Sequence, residues 1–223
     1  LTCACPPPSV LDVRVPAGSR SPLEDFDRIS ASIAAQGWIE VPDFIGEDLV
    51  QALGTESLRL AEQGAFYDAA IGHDAQERVD GQVRADQISW LDTAGSSEAQ
   101  RQCLARFEDL RLRLNRDLQL GLFEFECHFA RYARGAFYRR HLDQFSRDSR
   151  RCLSVVLYLN AAWETHHGGA LRLYLDRTPD AASVDITPVG GKLVLFLSER
   201  FPHEVLPATR ERLSLTGWFK TRS

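Results

Sequence analysis

Two textures divide the chain. Between residues 21 and 121 apolar side chains recur every three to four positions, the spacing of amphipathic helices, whereas from residue 123 onward they alternate or run in short blocks between turn residues. Ser21-Pro22-Leu23-Glu24 has the form of a helix start, with a capping Ser, Pro at the first helical position and Glu three residues after the cap. Leu23, Phe26, Ile29 and Ile33 then share one face, and Gly37 is placed to close the helix. Trp38–Val41 reads as a short strand stopped by Pro42-Asp43, and a second helix is expected over 47–63, with Leu49, Val50, Leu53, Leu58 and Leu60 inward and Gly64 at its end. Residues 66–87 are polar and aperiodic and read as a loop or mobile finger in which His73 is a solvated residue; Ile88–Leu91 has strand character. A third helix starts near Ser96-Ser97, with Gln100 in capping-box position and a stripe of Cys103, Leu104, Phe107, Leu110, Leu114 and Leu118, and Gly121 is expected to end it. Its basic face (Arg101, Arg106, Arg111, Arg113, Arg116) is read as solvated.

The second half predicts eight short strands, over 123–132, 136–143, 152–160, 170–176, 183–187, 190–198, 202–206 and 212–220. Helices first and strands after argue against a βαβ fold and for an α+β architecture: a double-stranded β-helix, or jelly roll, with three supporting N-terminal helices on one outer face. Gly168-Gly169 and Gly190-Gly191 precede strands and fit turns rather than a phosphate loop. Residues 1–20, with Pro6-Pro7-Pro8, read as a tail; residues 21–223 read as a single domain, with a helical flank at 21–121 and a jelly-roll core at 122–220.

Composition narrows the classes. A net charge of −5 argues against a nucleic-acid binder that works through a general basic field. The five Cys are odd in number and scattered, which is not a disulfide framework; Cys127 and Cys152 lie in strand-like runs as buried thiols, and Cys3-x-Cys5 lies in the tail. No apolar run is long enough for a membrane span and no signal-peptide pattern opens the chain, so a reduced cytoplasm and a monomer are expected. The lack of any Met suggests a trimmed or processed chain.

The candidate chemistry centres on His141-Leu-Asp143. On a strand these two side chains point the same way, placing an imidazole beside a carboxylate, two parts of the two-His-one-carboxylate set that suits non-haem Fe(II). The pair alone arises readily by chance. His203, entering a late strand, is a reasonable third ligand; His128 reads better as a satisfied core His, and His166 and His167 as solvated turn residues. In 212–220, Arg212, Ser214, Thr216 and Trp218 share one face, so that face meets a polar cavity, and an Arg inside a barrel needs an anion that its fork can hold on two sides. Tyr158 shares a face with Ser154, Val156 and Asn160, and is either a second donor to that anion or a core aromatic with a satisfied hydroxyl.

Several pieces recur in a fixed order: Tyr138-x-x-His141-x-Asp143, Leu-Tyr158-Leu-Asn160-x-x-Trp163, Gly168-Gly169-x-Leu-Arg172, Pro202-His203-Glu204-Val205-x-Pro207 and Arg212, with Arg84-Ala-Asp86-Gln-Ile-Ser-Trp90 upstream. In this order they resemble the Fe(II)/2-oxoglutarate-dependent prolyl hydroxylases, the subgroup of the hypoxia-inducible-factor prolyl hydroxylases and their bacterial relatives, over roughly residues 23–220. The resemblance implies Fe(II) on His141, Asp143 and His203, and the distal carboxylate of 2-oxoglutarate on Arg212 with help from Tyr158. It places Thr216, Trp218 and Tyr132 around the cosubstrate, and Tyr138, Arg151 and Trp218 toward the substrate, although the spacing from Tyr132 to His141 differs by one from that of the animal enzymes. It also implies O2 as oxidant, ascorbate as reductant, and 4-hydroxylation of a prolyl residue in an intracellular protein, with succinate and CO2 as coproducts and elongation factor Tu as a candidate partner. Asp143 favours hydroxylation over halogenation, because halogenating relatives carry a small residue there. The 66–87 segment, expected to act as a lid, differs from the animal enzymes in length and composition. Three other readings remain for the same residues: a 2-oxoglutarate oxygenase acting on another residue or a small molecule, a non-catalytic jelly-roll sensor for a metal or carboxylate, and a cupin-like zinc hydrolase or isomerase.

Overall fold

The computed structural model describes residues 22–70, 79–91, 96–144 and 150–222. His73 and the middle of the expected lid lie outside these residues, as does the expected cap Ser21. Three helices, α1 (Pro22–Gln36), α2 (Glu47–Glu62) and α3 (Glu98–Leu118), alternate with the first strands, β1 (Trp38–Val41), β2 (Tyr67–Asp68) and β3 (Asp86–Trp90). The rest is β: β4 (Leu122–Tyr132), β5 (Tyr138–His141), β6 (Arg151–Tyr158), β7 (Leu171–Tyr174), β8 (Ser183–Ile186), β9 (Leu193–Leu197), β10 (His203–Val205) and β11 (Arg212–Thr221). They form a seven-stranded sheet in the order β1-β9-β6-β11-β4-β3-β2 and a four-stranded sheet in the order β5-β10-β7-β8. This is the expected double-stranded β-helix with three helices outside it.

Strand alternation builds two cores from one sheet. On β6, Leu153, Val155 and Leu157 join Phe26, Ile29, Leu53, Phe107, Leu110 and Leu114 of the helices. Val156 and Tyr158, from the other face of the same strand, join Leu171, Leu173, Val194 and Phe196 between the sheets. β11 repeats the division: Leu213, Leu215 and Phe219 pack under the helices, while Arg212, Thr216 and Trp218 line a cavity in the barrel.

Four local features depart from expectation. α3 stops at Leu118 rather than near Gly121, because Gln119 takes the left-handed conformation (φ 55°) and its N–H bonds Asn115 O. The Asn115 side chain then bonds both the N–H and the C=O of Leu122, at 2.7 Å each, which ties the helix end to β4. β5 ends at His141, two residues earlier than expected, so Asp143 lies in a bend beyond the strand. The stretch read as a loop at 66–87 contains β2 and the start of β3, which extend the large sheet beside β4. The basic face of α3 is ion-paired rather than merely solvated: Arg101–Glu98 (2.8 Å), Arg106–Asp25 (3.9 Å), Arg111–Glu108 (2.6 Å) and Arg116–Asp117 (3.1 Å), with Arg113 on both Asp117 and Asp27. Exposed pairs of this kind add little stability, and they leave no free basic stripe for a partner.

Gly217 is where β11 lies closest to β4. A Cβ there would stand 2.4 Å from Glu126 O and 2.6 Å from Cys127 Cβ. Gly217→Ala is therefore expected to lower stability by about 1–3 kcal/mol through overpacking. Urea unfolding checks this, and an unchanged midpoint would mean that the two strands separate at no cost.

Candidate functional site

β5 and β10 are antiparallel neighbours with His141 directly opposite His203, which brings the two rings to 4.2 Å between centroids. The bend after β5 turns Asp143 toward both: its Oδ1 is 3.5 Å from His141 Nε2 and its Oδ2 is 3.6 Å from His203 Nε2. One ligand atom from each residue falls within 4.8 Å of the others, and among the described residues this is the only cluster of three or more His, Cys, Asp or Glu close enough to hold a metal ion.

The backbone settles the tautomers. Each Nδ1 faces a carbonyl, Arg139 O at 2.8 Å for His141 and Phe201 O at 3.1 Å for His203. A carbonyl only accepts, so Nδ1 carries the proton and Nε2 keeps its lone pair for a metal. Burial, and then the neighbouring His141, push His203 down to about 4, so it is neutral near pH 7. Burial works against the Asp143 charge, but His203, His141 and the Ser154 hydroxyl outweigh it and hold the carboxyl well below its usual range. Two imidazoles that point Nε2 inward and one carboxylate form a donor set suited to a divalent transition metal.

The same cavity, about 340 Å³, contains Arg212. Arg212 is 1% exposed and donates Nε to Gly169 O at 3.0 Å. Its guanidinium carbon lies 4.9 Å from the Tyr132 ring centre and 5.1 Å from that of Tyr158. No carboxylate of the described residues is within ion-pair distance of it. The Tyr158 hydroxyl is buried without a partner, and burial, resisted by Arg212, raises that phenol to about 12. A buried cation and an orphaned donor side by side are what the distal carboxylate of a keto acid would satisfy.

The other expected residues line the cavity. Tyr138 stacks on His141 at 3.6 Å, and the Arg151 guanidinium lies 3.6 Å over Trp218, whose indole N–H is buried and unpartnered. Thr216 is on the same wall. His128 is buried there too, edge-on to Trp90 at 5.0 Å, and His166 and His167 sit on an exposed turn beside Trp163, away from the cavity. Two further cavity residues had not been singled out for a role: Arg84 grips Asp86 through two bonds of 2.7 and 2.6 Å and lies 4.3 Å over Tyr138. An Arg-x-Asp pair entering a strand, with both side chains on one face, was the available signal.

Residues 127–220 match the model of the 2OG-Fe(II) oxygenase superfamily. A Pseudomonas putida prolyl-4-hydroxylase, known from its crystal structure, is 47% identical with a TM-score of 0.78; the match covers 89% of this chain and all of that one. A Trichoplax adhaerens prolyl hydroxylase, solved in complex with a hypoxia-inducible-factor oxygen degradation domain peptide, is 28% identical with a TM-score of 0.78, covering 89% of this chain and 90% of that one. The Caenorhabditis elegans hypoxia-inducible factor prolyl hydroxylase is 28% identical over 88% of this chain. The chain spans between 28% and 62% of the length of this relative and of the mouse, human and rat relatives it also matches.

His128 gives the site a pH signature. Burial above all pushes it to about 4, below the ordinary value near 6.5, so the folded protein binds this proton less readily than the unfolded chain. Its contribution is complete above the ordinary value and is lost as pH falls toward 4, by about 3 kcal/mol in all. NMR titration of the His128 ring is expected to show no protonation above about pH 5; a midpoint at the ordinary value would mean that the ring is open to water.

Proposed function

The chain belongs to the 2OG-Fe(II) oxygenase superfamily, and from that premise we propose that it is an Fe(II)- and 2-oxoglutarate-dependent dioxygenase hydroxylating a prolyl residue of a protein. The observation that carries the reading is a three-ligand cluster and an unpaired buried guanidinium in one cavity. His141, Asp143 and His203 hold the iron through two Nε2 atoms and a carboxylate. Arg212 takes the far carboxylate of 2-oxoglutarate through its fork, and Tyr158 adds its hydroxyl. The formal charges then cancel: two positive from the iron and one from Arg212, against one negative from Asp143 and two from the keto acid. A buried site needs that balance.

With iron, 2-oxoglutarate and O2 bound, the site supplies oxidative decarboxylation to succinate and CO2, coupled to oxygen insertion into a substrate C–H bond. The chain's own part is placement and shielding. Tyr132, Val156 and Leu171 wall the cavity with apolar surface against water. Tyr138 keeps the His141 ring flat against it, and Thr216 and Trp218 stand on the β11 wall. Arg151 and the Trp218 indole N–H offer donors to backbone carbonyls of a peptide beside the metal ligands.

The test is anaerobically prepared protein with Fe(II), 2-oxoglutarate and ascorbate, then exposed to O2 with prolyl peptides, those of elongation factor Tu first. Succinate together with a peptide mass gain of one oxygen atom on proline is expected; turnover only with a free amino acid or a non-prolyl peptide would move the reading elsewhere in the superfamily. Arg212→Ala is expected to raise the KM for 2-oxoglutarate by about 30-fold or more, as truncation of one partner of a buried charge pair does, with metal affinity little changed. Arg212→Lys recovers only part of the loss, because an ammonium lacks the fork. Equal loss of metal and cosubstrate binding in Arg212→Ala would make Arg212 a structural residue instead.

A further inference from the structure

The three metal-facing residues are not held alike. His141 and His203 lie on paired strands, opposite each other in the β5–β10 ladder, with their ring N–H groups bonded to backbone. Asp143 follows the end of β5 and has no ladder partner. Its side chain is instead held from behind by a hydroxyl: Ser154 Oγ donates to Asp143 Oδ2 at 2.7 Å. Ser154 is 1% exposed and sits on β6, between Phe196 of β9 and Trp218 of β11 in the ladder. Its oxygen lies 2.9 Å from the hydroxyl of Ser198, which is fully buried and whose backbone N–H bonds Cys152 O on the same strand.

The direction of this chain of hydroxyls follows from charge. Asp143 is ionised and only accepts, so the Ser154 hydrogen is committed to it. The Ser154 oxygen therefore accepts, and Ser198 donates: Ser198 to Ser154 to Asp143. Each step polarises the next, in surroundings from which water is excluded. One carboxylate oxygen is thereby occupied from the protein side, and rotation of the carboxylate breaks a buried hydrogen bond.

We propose that Ser154, backed by Ser198, is the positioning residue of the metal centre. It fixes the rotamer of the one ligand that strand pairing leaves free, and presents that carboxylate to a divalent cation already oriented. The proposal rests on reading His141, Asp143 and His203 as a metal site. Neither serine touches substrate or cosubstrate in this scheme; both act through Asp143.

The experiment is a titration of metal-free protein with Mn(II), with free ion followed by electron paramagnetic resonance and thermal melting run alongside. Ser154→Ala is expected to weaken Mn(II) binding by about 10–100-fold, the usual effect of removing a partner of a ligand. Ser154→Thr, which keeps a hydroxyl on the same strand, restores affinity, and Ser198→Ala gives a smaller loss of a few fold. A purely structural role would lower the melting temperature without the Thr rescue of affinity. Mn(II) affinity in Ser154→Ala within a factor of about two of the parent, against the loss expected of such a partner, overturns the proposal while leaving the metal site intact. Should Ser154→Ala fail to fold, Ser198→Ala decides, and unchanged affinity there overturns it. Parent protein that binds no Mn(II) overturns the metal reading, and this inference with it.

Discussion

Arg212 is sealed from water with no carboxylate of the described residues beside it. A guanidinium in that position is tolerable only if something neutralises it when the protein works, and the surrounding structure is arranged to leave that place open. β11 carries it inward between β4 and β6, opposite Tyr132. Gly169, at φ 71°, lets the chain pass it: a Cβ there would stand 2.9 Å from Ala208 Cβ and 3.4 Å from Arg212 Cδ. The same residue's carbonyl then accepts the hydrogen bond from Arg212 Nε. The paired glycines that look like a turn in the sequence are thus also a clearance for the cation.

The second constraint is register. The metal-facing histidines are far apart in the chain and meet because β5 and β10 pair at that residue. A slip of one position on either strand would turn one imidazole away from the cavity. The small sheet therefore carries the two histidines and the large sheet carries Arg212, Tyr158 and Ser154 behind Asp143, with Ser198 just past the end of β9. Function depends on the two sheets facing each other, which the apolar layer of Val156, Leu171, Leu173, Val194 and Phe196 secures.

Much of this was readable beforehand, for physical reasons. Alternation along 212–220 separates Arg212, Ser214, Thr216 and Trp218 from Leu213, Leu215, Gly217 and Phe219 in the sequence itself, and the helix stripes mark which face of the sheet is covered. What escaped depends on departures from those periods. Asp143 was expected to share a face with His141 by strand alternation, yet the strand ends at His141 and a bend does the work instead. β2 and the first two residues of β3 were hidden because Tyr67–Asp68 is too short to show a period and gains its strand only from pairing with β3. The Ser154–Ser198 contact joins two residues with no local motif between them, and only β6–β9 pairing reveals it. The arginines of α3 read as a charged face, but whether such a face is free or ion-paired depends on the acids of α1 beside it, such as Asp25 and Asp27.

The central claim is that the three-ligand cluster and Arg212 form one site for one keto acid. Two ligands of a single site must be thermodynamically linked, and the linkage is reciprocal. Calorimetric titration of 2-oxoglutarate into metal-free and Mn(II)-loaded protein measures it directly. The metal is expected to tighten 2-oxoglutarate binding by about 10-fold or more, within the usual range of coupling energies. An affinity for 2-oxoglutarate that is indifferent to the metal would contradict the claim.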